Sequence, residues 1–344
     1  MKTLKLFIAV ACSALALASC TSKNFSIKGI ADDECGLAEG AVVLVCDGNG
    51  NVKDTCLVKD GKFSYSGPID VTGFIAFDLA YPGKDNRFVD HCAAVIPDKK
   101  NIEVVLRDSS YVNGSPLTEA FNDFQAELMR LYTESEDENE PLQYCREVFL
   151  ANTDNIVGAN AFSQLVYDLP LEEFDELFEK AGDFIKAEPE YARIRAAKEV
   201  EAKTAPGAMF VDFEGVTPDG APVKLSDFVG KGQYVLVDFW ASWCGPCMRS
   251  MPGMKAIYEE YAPKGLQVLG VAVWDGDNSR SRVRIEERGM TWPQIFVGDD
   301  KTATDSYGIL GIPHVIIFAP DGTIESRQTP DEEKLAAHVA ELYK

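Results

Sequence analysis

The chain has 344 residues, with 33 lysines and arginines against 55 aspartates and glutamates, and a formal net charge of −22 at pH 7. A surface this acidic repels nucleic acid and anionic lipid headgroups, which argues against a nucleic-acid-binding protein. The length predicts more than one domain.

The first twenty residues have the pattern of an export signal. Lys2 and Lys5 precede an apolar stretch, residues 6–18, that is too short to span a bilayer. Small residues followed by Cys20 then resemble a bacterial lipobox. Residues 1–19 are therefore predicted to be a lipoprotein signal peptide, and a lipid on Cys20 would hold the protein on the periplasmic side of a bacterial membrane. A plain secretory signal is the alternative.

Residues 20–112 are predicted to form an antiparallel β-sandwich module. Short β-prone runs such as Ala41–Val45 alternate with turn signals, among them Asp47–Asn51 and Lys59–Lys62. Asp-Gly and Asn-Gly between such runs indicate hairpins, and strands at this spacing indicate a sandwich. The Asp47–Asn51 turn lacks the ligand set of a calcium loop, so we interpret it as a hairpin.

Residues 113–204 are predicted to be a helical segment. Ser115 and Pro116 indicate a capped helix start, and apolar residues recur at helical spacing after them. Further helices are predicted at Leu142–Leu150, Ile156–Tyr167, Leu171–Ala187 and Tyr191–Ala202. Nothing in the pattern indicates a cofactor site, so these helices are interpreted as core or inter-domain packing. An Ala-Pro-Gly hinge then leads into a C-terminal domain, residues 205–344.

Cys244 and Cys247 carry the strongest chemical signal. They lie in the run Trp-Cys-Gly-Pro-Cys, between a β-prone stretch, Tyr234–Trp240, and apolar residues at helical spacing, Met248–Ala262. The pair is therefore predicted at a strand-to-helix turn, with Cys244 near the helix N-terminus, where the dipole and backbone N–H groups favour a thiolate. Such a pair can close and reopen a disulfide, which is typical of a thioredoxin-type motif.

A zinc site is the main alternative for two cysteines at this spacing. Structural zinc needs two further ligands, but the chain has no second pair of this kind and only three histidines, none close to another in sequence. We therefore expect no metal and no cofactor. Five cysteines besides Cys12, Cys20 and the pair remain, and their connectivity cannot be deduced from sequence, although buried thiols are the preferred interpretation. They are Cys35, Cys46, Cys56, Cys92 and Cys145.

Two further positions indicate a redox site. Asp238 lies inside the apolar stretch before the cysteines, and a buried carboxylate there could accept the proton of Cys247. A side chain that points to solvent is the alternative. Pro313 precedes the apolar strand Val315–Phe318, either as an edge residue or as a cis-proline facing the cysteines. Pro252 is predicted to kink the helix that follows the pair.

Together these residues resemble thioredoxin and, over residues 205–344, the TlpA/ResA type of membrane-anchored, extracytoplasmic thiol–disulfide oxidoreductase. Typical of this type are a β extension at Met209–Phe213 and Val223–Phe228 and a strand–helix insertion at Gln267–Phe296. A helix in the insertion is predicted to be capped by Asp277 or Asn278 and to run to about Gly289. Residues 20–112 resemble the β-sandwich module of unknown role that often precedes such domains. The predicted fold class is therefore multi-domain, with a thioredoxin-like α/β fold at the C-terminus.

The resemblance implies roles for the site residues. Cys244 attacks a substrate disulfide and Cys247 resolves the resulting mixed disulfide, so that the two form a redox-active disulfide. Pro313 is in the cis form, and the backbone of Ile312 binds an extended substrate peptide. The residues that shape the turn are Trp243, Gly245 and Pro246.

One position departs from the type. Ser250 stands where these proteins often carry a glutamate, whereas Asp238 is present as in thioredoxin, so the proton-handling carboxylate is predicted on the strand. His314 either lies near the cysteines or is an ordinary strand side chain.

The expected function is reduction of protein disulfides outside the cytoplasm. The expected partners are extracytoplasmic disulfide proteins, a membrane electron-donor thiol protein and, through Cys20, the membrane itself; cytochrome c maturation is one role that the resemblance implies. An oxidase or isomerase running the same exchange is an alternative. A redox-sensing binding protein whose N-terminal domains recognise a partner is another. A peroxiredoxin would need a Pro-x-x-x-Thr-x-x-Cys motif around the active cysteine, which the sequence lacks.

Overall fold

The computed structural model describes residues 24–31, 41–80, 91–107, 109–137, 139–328 and 332–344. The predicted signal peptide 1–19, Cys20 and Cys35 lie outside the described residues. Contacts divide the chain into two compact units, with the boundary between Ala161 and Phe162. The predicted boundaries 20–112, 113–204 and 205–344 remain predictions.

The first unit begins with strands whose buried and exposed residues alternate, so that one face of each sheet packs inward. The strands are β1 (Asn24–Ala31), β2 (Val42–Asp47), β3 (Val52–Leu57), β4 (Lys62–Pro68), β5 (Ile75–Ala80), β6 (Cys92–Val95), β7 (Asn101–Leu106) and β8 (Tyr111–Asn113). The described strands form two four-stranded sheets, in the orders β4-β1-β7-β8 and β3-β2-β5-β6. Both sheets contribute to one hydrophobic cluster, to which β1 gives Ile27 and β2 gives Val43.

The sequence predicts a hairpin turn and antiparallel strand pairing in this unit. The Asp-Gly turn between β3 and β4 forms as predicted, because Asp60 and Gly61 both adopt positive φ angles (50° and 66°). The expected antiparallel arrangement is wrong at one pair, since β1 and β7 run parallel. Residues 32–100 separate these two strands, and a connection of that length permits parallel pairing.

The helices of the central segment begin and end close to where the sequence predicts. They are α1 (Pro116–Glu134), α2 (Glu140–Ala151), α3 (Ile156–Leu165), α4 (Leu171–Lys180), α5 (Asp183–Lys186) and α6 (Pro189–Lys203). Ser115 caps α1, and its side chain accepts a hydrogen bond from the amide of Thr118 at 3.2 Å. The single helix predicted at Leu171–Ala187 is instead two, because the chain is extended at Ala181 and Gly182.

The second unit contains a mixed sheet flanked by helices. Its remaining elements are β9 (Glu214–Val216), β10 (Pro222–Lys224), β11 (Val235–Trp240), α7 (Gly245–Tyr261), β12 (Gln267–Val273), α8 (Ser279–Arg288), β13 (Gln294–Gly298), α9 (Thr302–Asp305), β14 (His314–Phe318), β15 (Ile324–Gln328) and α10 (Glu332–Leu342). The described strands follow the order β10-β9-β13-β12-β11-β14-β15, with β11, β12 and β13 parallel. This is a thioredoxin-like fold, as the sequence predicts, and the region of the predicted insertion contains β12, α8 and β13.

The central strand β11 is buried on both faces. Leu236 and Trp240 pack into a cluster with α7 and α10, whereas Val235, Val237 and Phe239 pack into a second cluster on the opposite face. The apolar run in the sequence reflects this double burial. Within the described residues, no helix combines the length and apolarity that crossing a membrane requires.

Candidate active site

The two cysteines of the Trp-Cys-Gly-Pro-Cys motif lie where β11 gives way to α7. Cys244 has an extended backbone and caps α7, which starts at Gly245 with Pro246 in its first turn. A disulfide joins Cys244 and Cys247, and the amide of Cys247 donates to the Cys244 sulfur at 3.1 Å. In a reduced protein the same N–H group and the positive end of α7 would stabilise a thiolate at Cys244.

The loop before β14 approaches the disulfide. The Ile312–Pro313 peptide bond is cis, and the Cys244 sulfur lies 3.8 Å from the carbonyl oxygen of Ile312. Among the described residues, Leu310, Gly311 and Ile312 make no hydrogen bond to another backbone group. Backbone groups next to the cysteines are thus available to pair with an extended peptide, as in strand addition.

Asp238 lies on the cysteine side of β11. It lies on the same face of the strand as Leu236 and Trp240, which share a hydrophobic cluster with Cys244 and Cys247. The residue is 1% exposed, and neither carboxylate oxygen has a hydrogen-bond partner among the described residues. Burial raises the pKa of Asp238 from 3.8 to about 7. A carboxyl group that gains and loses a proton near neutral pH can serve as an acid or a base.

The surface of the motif is held by a network that the sequence does not signal. Trp243 is 56% exposed, and its indole N–H donates to the carbonyl oxygen of Trp274 at 3.0 Å. The amide and hydroxyl of Ser242 donate to the Asp275 carboxylate, which also accepts from the Ser281 hydroxyl. Residues after β12 and in α8 therefore fix the turn that carries Cys244, although their sequence carries no local mark of this role.

Ser250 and His314 fill structural positions. Ser250 is buried, and its hydroxyl donates to the carbonyl oxygen of Cys247 at 3.0 Å. Burial, together with the nearby Arg327 guanidinium, lowers the pKa of His314 to about 4. The imidazole is therefore neutral at pH 7, whereas the pKa of Asp238 lies close to that pH.

A groove runs beside the cis-proline loop and has a volume of about 570 Å³. One side is the loop itself, residues 308–314, together with Arg327. The other side is formed by Tyr167, Asp168 and Glu201 of the helical segment. The sequence pattern of these helices indicates packing alone, because a groove built from distant segments leaves no local motif.

The remaining cysteines lie outside this site. Cys56 and Cys145 are buried free thiols, and burial raises the pKa of each to about 11. Cys92 is also free but exposed, which differs from the preferred interpretation of buried thiols. The Cys46 sulfur lies 3.6 Å from the Asp78 carboxylate. In the described part of the chain, no group of three or more histidine, cysteine or acidic side chains is placed to hold a metal ion.

Comparisons with known proteins place the second unit among redox proteins. A family model described as the AhpC/TSA family matches residues 206–327. The thiol-disulfide oxidoreductase ResA of Geobacillus thermodenitrificans is 30% identical over 142 residues, which cover 40% of this chain and 76% of that protein. ResA of Oceanobacillus iheyensis is 38% identical over 109 residues, which cover 31% of this chain and 54% of that protein. The chain thus spans about half the length of this second relative.

Solved structures with related sequences include the thioredoxin domain of a thiol-disulfide oxidoreductase from Bacteroides vulgatus. That domain is 31% identical, and the match covers 41% of this chain and 99% of that chain with a TM-score of 0.37.

Proposed function

Because the chain belongs to the ResA family of thiol-disulfide oxidoreductases, we propose that it reduces disulfides of extracytoplasmic proteins while a lipid on Cys20 anchors it to a membrane. The observation that carries the proposal is the Cys244–Cys247 disulfide at the N-terminus of α7, with the Ile312 carbonyl 3.8 Å from the Cys244 sulfur. A dithiol in this position can exchange with a disulfide held along the cis-proline loop.

The first step of the proposed reaction uses the reduced protein. The Cys244 thiolate attacks one sulfur of the substrate disulfide, a new bond joins Cys244 to the substrate, and the substrate bond breaks. The departing substrate sulfur leaves as a thiolate and takes up a proton. Trp243, Gly245 and Pro246 keep the attacking sulfur at the surface of the turn.

The second step releases the product. The thiol proton of Cys247 passes to the ionised Asp238, and the Cys247 thiolate attacks the Cys244 sulfur. The bond between Cys244 and the substrate breaks, and the second substrate sulfur leaves as a thiolate that is then protonated. Two electrons have moved from the dithiol to the substrate. A membrane electron-donor thiol protein would then reduce the Cys244–Cys247 disulfide again. A role in cytochrome c maturation or in general disulfide reduction requires this step.

The activity is tested by reduction of insulin with a small dithiol as electron donor. We expect Cys244→Ser to abolish turnover, because no other thiol of the site can start the exchange. Cys92→Ser is the matched control, since Cys92 is an exposed free thiol of the first unit, and it should leave the rate unchanged. Unchanged turnover in Cys244→Ser would mean that the protein is not an oxidoreductase of this mechanism and would favour a redox-sensing binding protein.

The direction of electron flow is tested by the reduction potential. The Gly-Pro dipeptide between the cysteines is shared with thioredoxin, whose potential is about −270 mV. A similar value would support a reductase. A value near that of the strong oxidant DsbA, about −120 mV, would contradict the proposed direction and favour an oxidase.

A further inference from the structure

Helix α6 packs directly against the loop that leads to cis-Pro313. Gly308 opens this loop with a φ of +64°, and a Cβ atom there would lie 2.2 Å from the carbonyl oxygen of Ala197 and 2.9 Å from the amide nitrogen of Glu201. Only glycine permits this conformation and so close an approach. The last two turns of α6 are thereby held beside the loop and form one wall of the groove.

The turn between α3 and α4 extends this wall. Lys198 of α6 is buried, and its ammonium group donates to the carbonyl oxygens of Tyr167 at 3.2 Å and Leu169 at 2.5 Å. These two residues bracket Asp168. Lys198 therefore fixes the turn that presents Tyr167 and Asp168 to the groove.

The groups that the wall exposes are aromatic and anionic. Tyr167 is 51% exposed, and Asp168 and Glu201 are exposed as well. Neither carboxylate makes a side-chain hydrogen bond or an ion pair with another residue that the structure describes. Two carboxylates beside an aromatic ring attract the charged end of a lysine or arginine and offer its methylene groups a surface.

Two nearby cations, Lys198 and Arg327, donate hydrogen bonds within the fold. The Lys198 ammonium is buried beneath the turn, so that a bound peptide does not reach it. One terminal nitrogen of Arg327 donates to the Thr204 hydroxyl at 2.6 Å, and the other donates to the Tyr307 carbonyl oxygen at 2.5 Å. Arg327 also lines the groove and weakens its negative potential, whereas Asp168 and Glu201 contribute its exposed carboxylates.

We propose that Asp168 and Glu201 select polypeptide disulfides that carry a lysine or arginine close to the attacked cysteine, a proposal that rests on the proposed reductase activity. A peptide paired along Leu310–Ile312 is extended and advances about 3.3 Å per residue, so neighbours of the attacked cysteine lie along the groove. The net charge of −22 adds attraction for basic substrates at longer range.

The selectivity is tested with the full, reduced protein and a pair of synthetic peptides. The peptides share one intramolecular disulfide and differ only in carrying lysines or glutamates beside the cysteines. At low ionic strength we expect kcat/KM to favour the lysine peptide by roughly fivefold, mainly through KM, as exposed charge contacts allow. The preference should shrink in concentrated salt. Asp168→Asn with Glu201→Gln should remove it, and Asp168→Lys with Glu201→Lys should invert it.

Two controls separate this selectivity from other effects. Glu260→Gln with Glu341→Gln removes the same charge from exposed positions on α7 and α10, and should keep the preference. The uncharged hydroxyethyl disulfide should react equally with all variants. Equal rates for the two peptides, or equal loss of preference in the control variant, would overturn the proposed selectivity while leaving the reductase intact. Failure to reduce hydroxyethyl disulfide as well would overturn the reductase function itself.

Discussion

Asp238 occupies the centre of β11 without a hydrogen-bond partner among the described residues. Burial raises its pKa from 3.8 to about 7. In the unfolded chain the same carboxyl group ionises near its ordinary value. Between about pH 4 and pH 7 the folded protein therefore holds a proton that the unfolded chain has released, and stability falls as pH rises through this window. The residue costs stability, which is typical of a group retained for chemistry.

Asp238→Asn should therefore stabilise the oxidised protein at pH 8. The expected gain in the free energy of unfolding is up to about 4 kcal/mol, because one pKa unit corresponds to about 1.36 kcal/mol. Near pH 4 the gain should be small, since the folded carboxyl group is then neutral and the unfolded one is only about half ionised. Chemical denaturation of both proteins at several pH values measures the difference, with the exposed Asp123→Asn as control. A gain that does not change between pH 4 and pH 8 would contradict the raised pKa.

The same variant also reports on catalysis. Without a carboxylate to accept the Cys247 proton, release of substrate from Cys244 should slow by roughly tenfold or more, as is usual when a general base is lost. In the wild-type protein the release rate should rise with pH through about 7, the pKa of Asp238. In the variant this rise should be absent. Single-turnover measurements of product release at several pH values would show this difference between the wild-type protein and the variant.

The residues that could be predicted from sequence are those with a local signature. Cys244 and Cys247 are marked by their spacing, Asp238 by its place in an apolar run, and Pro313 by its position before a strand. Asp275 and Glu201 could not be predicted, because each reaches the site from a segment far away in sequence. In the sequence, a carboxylate in a loop or on a helix cannot be distinguished from an ordinary solvent-exposed charge. Only the tertiary structure shows that it lies at the site.

Among the elements, α6 does more than its sequence pattern indicates. Tyr191, Ile194 and Lys198 of this helix are buried, so it packs firmly within the second unit. The close approach of Gly308 to Ala197 then couples the helix to the cis-proline loop. Helix boundaries were predictable from caps and prolines, and Gly182 after Ala181 is a helix-ending signal that the prediction of a single helix at Leu171–Ala187 overlooked.

Gly308→Ala tests this coupling. The substitution should destabilise the protein by about 2–4 kcal/mol, since strain at a positive φ adds to a clash with the α6 backbone. Gly276→Ala is the matched control, because Gly276 has a similar φ of +55° and open space around a Cβ atom. It should cost only about 1–2 kcal/mol. Thermal or chemical unfolding measures the stability of both variants. Equal losses of stability would show that α6 moves to accommodate the added methyl group.

At the scale of the whole molecule, the second compact unit includes part of the helical segment as well as the redox fold. The second unit begins at Phe162, so α4, α5 and α6 belong to it. The family match, in contrast, starts at residue 206. The Arg327 guanidinium spans this junction, since it binds Thr204 on one side and the Tyr307 carbonyl on the other.

A fragment of residues 205–344 should therefore fold but be less stable than residues 162–344. The described strands of the second unit lie within residues 214–328, so its sheet stays complete. Loss of Thr204 leaves one charged donor of Arg327 without its acceptor, which costs about 1.5–3 kcal/mol. For a chain of this size that corresponds to a melting temperature lower by about 5–10 °C.

Arg327→Met distinguishes this explanation from a general loss of buried surface. In residues 162–344 the substitution should be destabilising, because it removes the bonds to both Thr204 and Tyr307. In residues 205–344 it should be nearly neutral, since replacing an incompletely paired buried charge with an apolar side chain offsets the lost hydrogen bond. Equal effects of Arg327→Met in the two fragments, or equal melting temperatures without it, would show that the guanidinium does not link the helical segment to the redox fold.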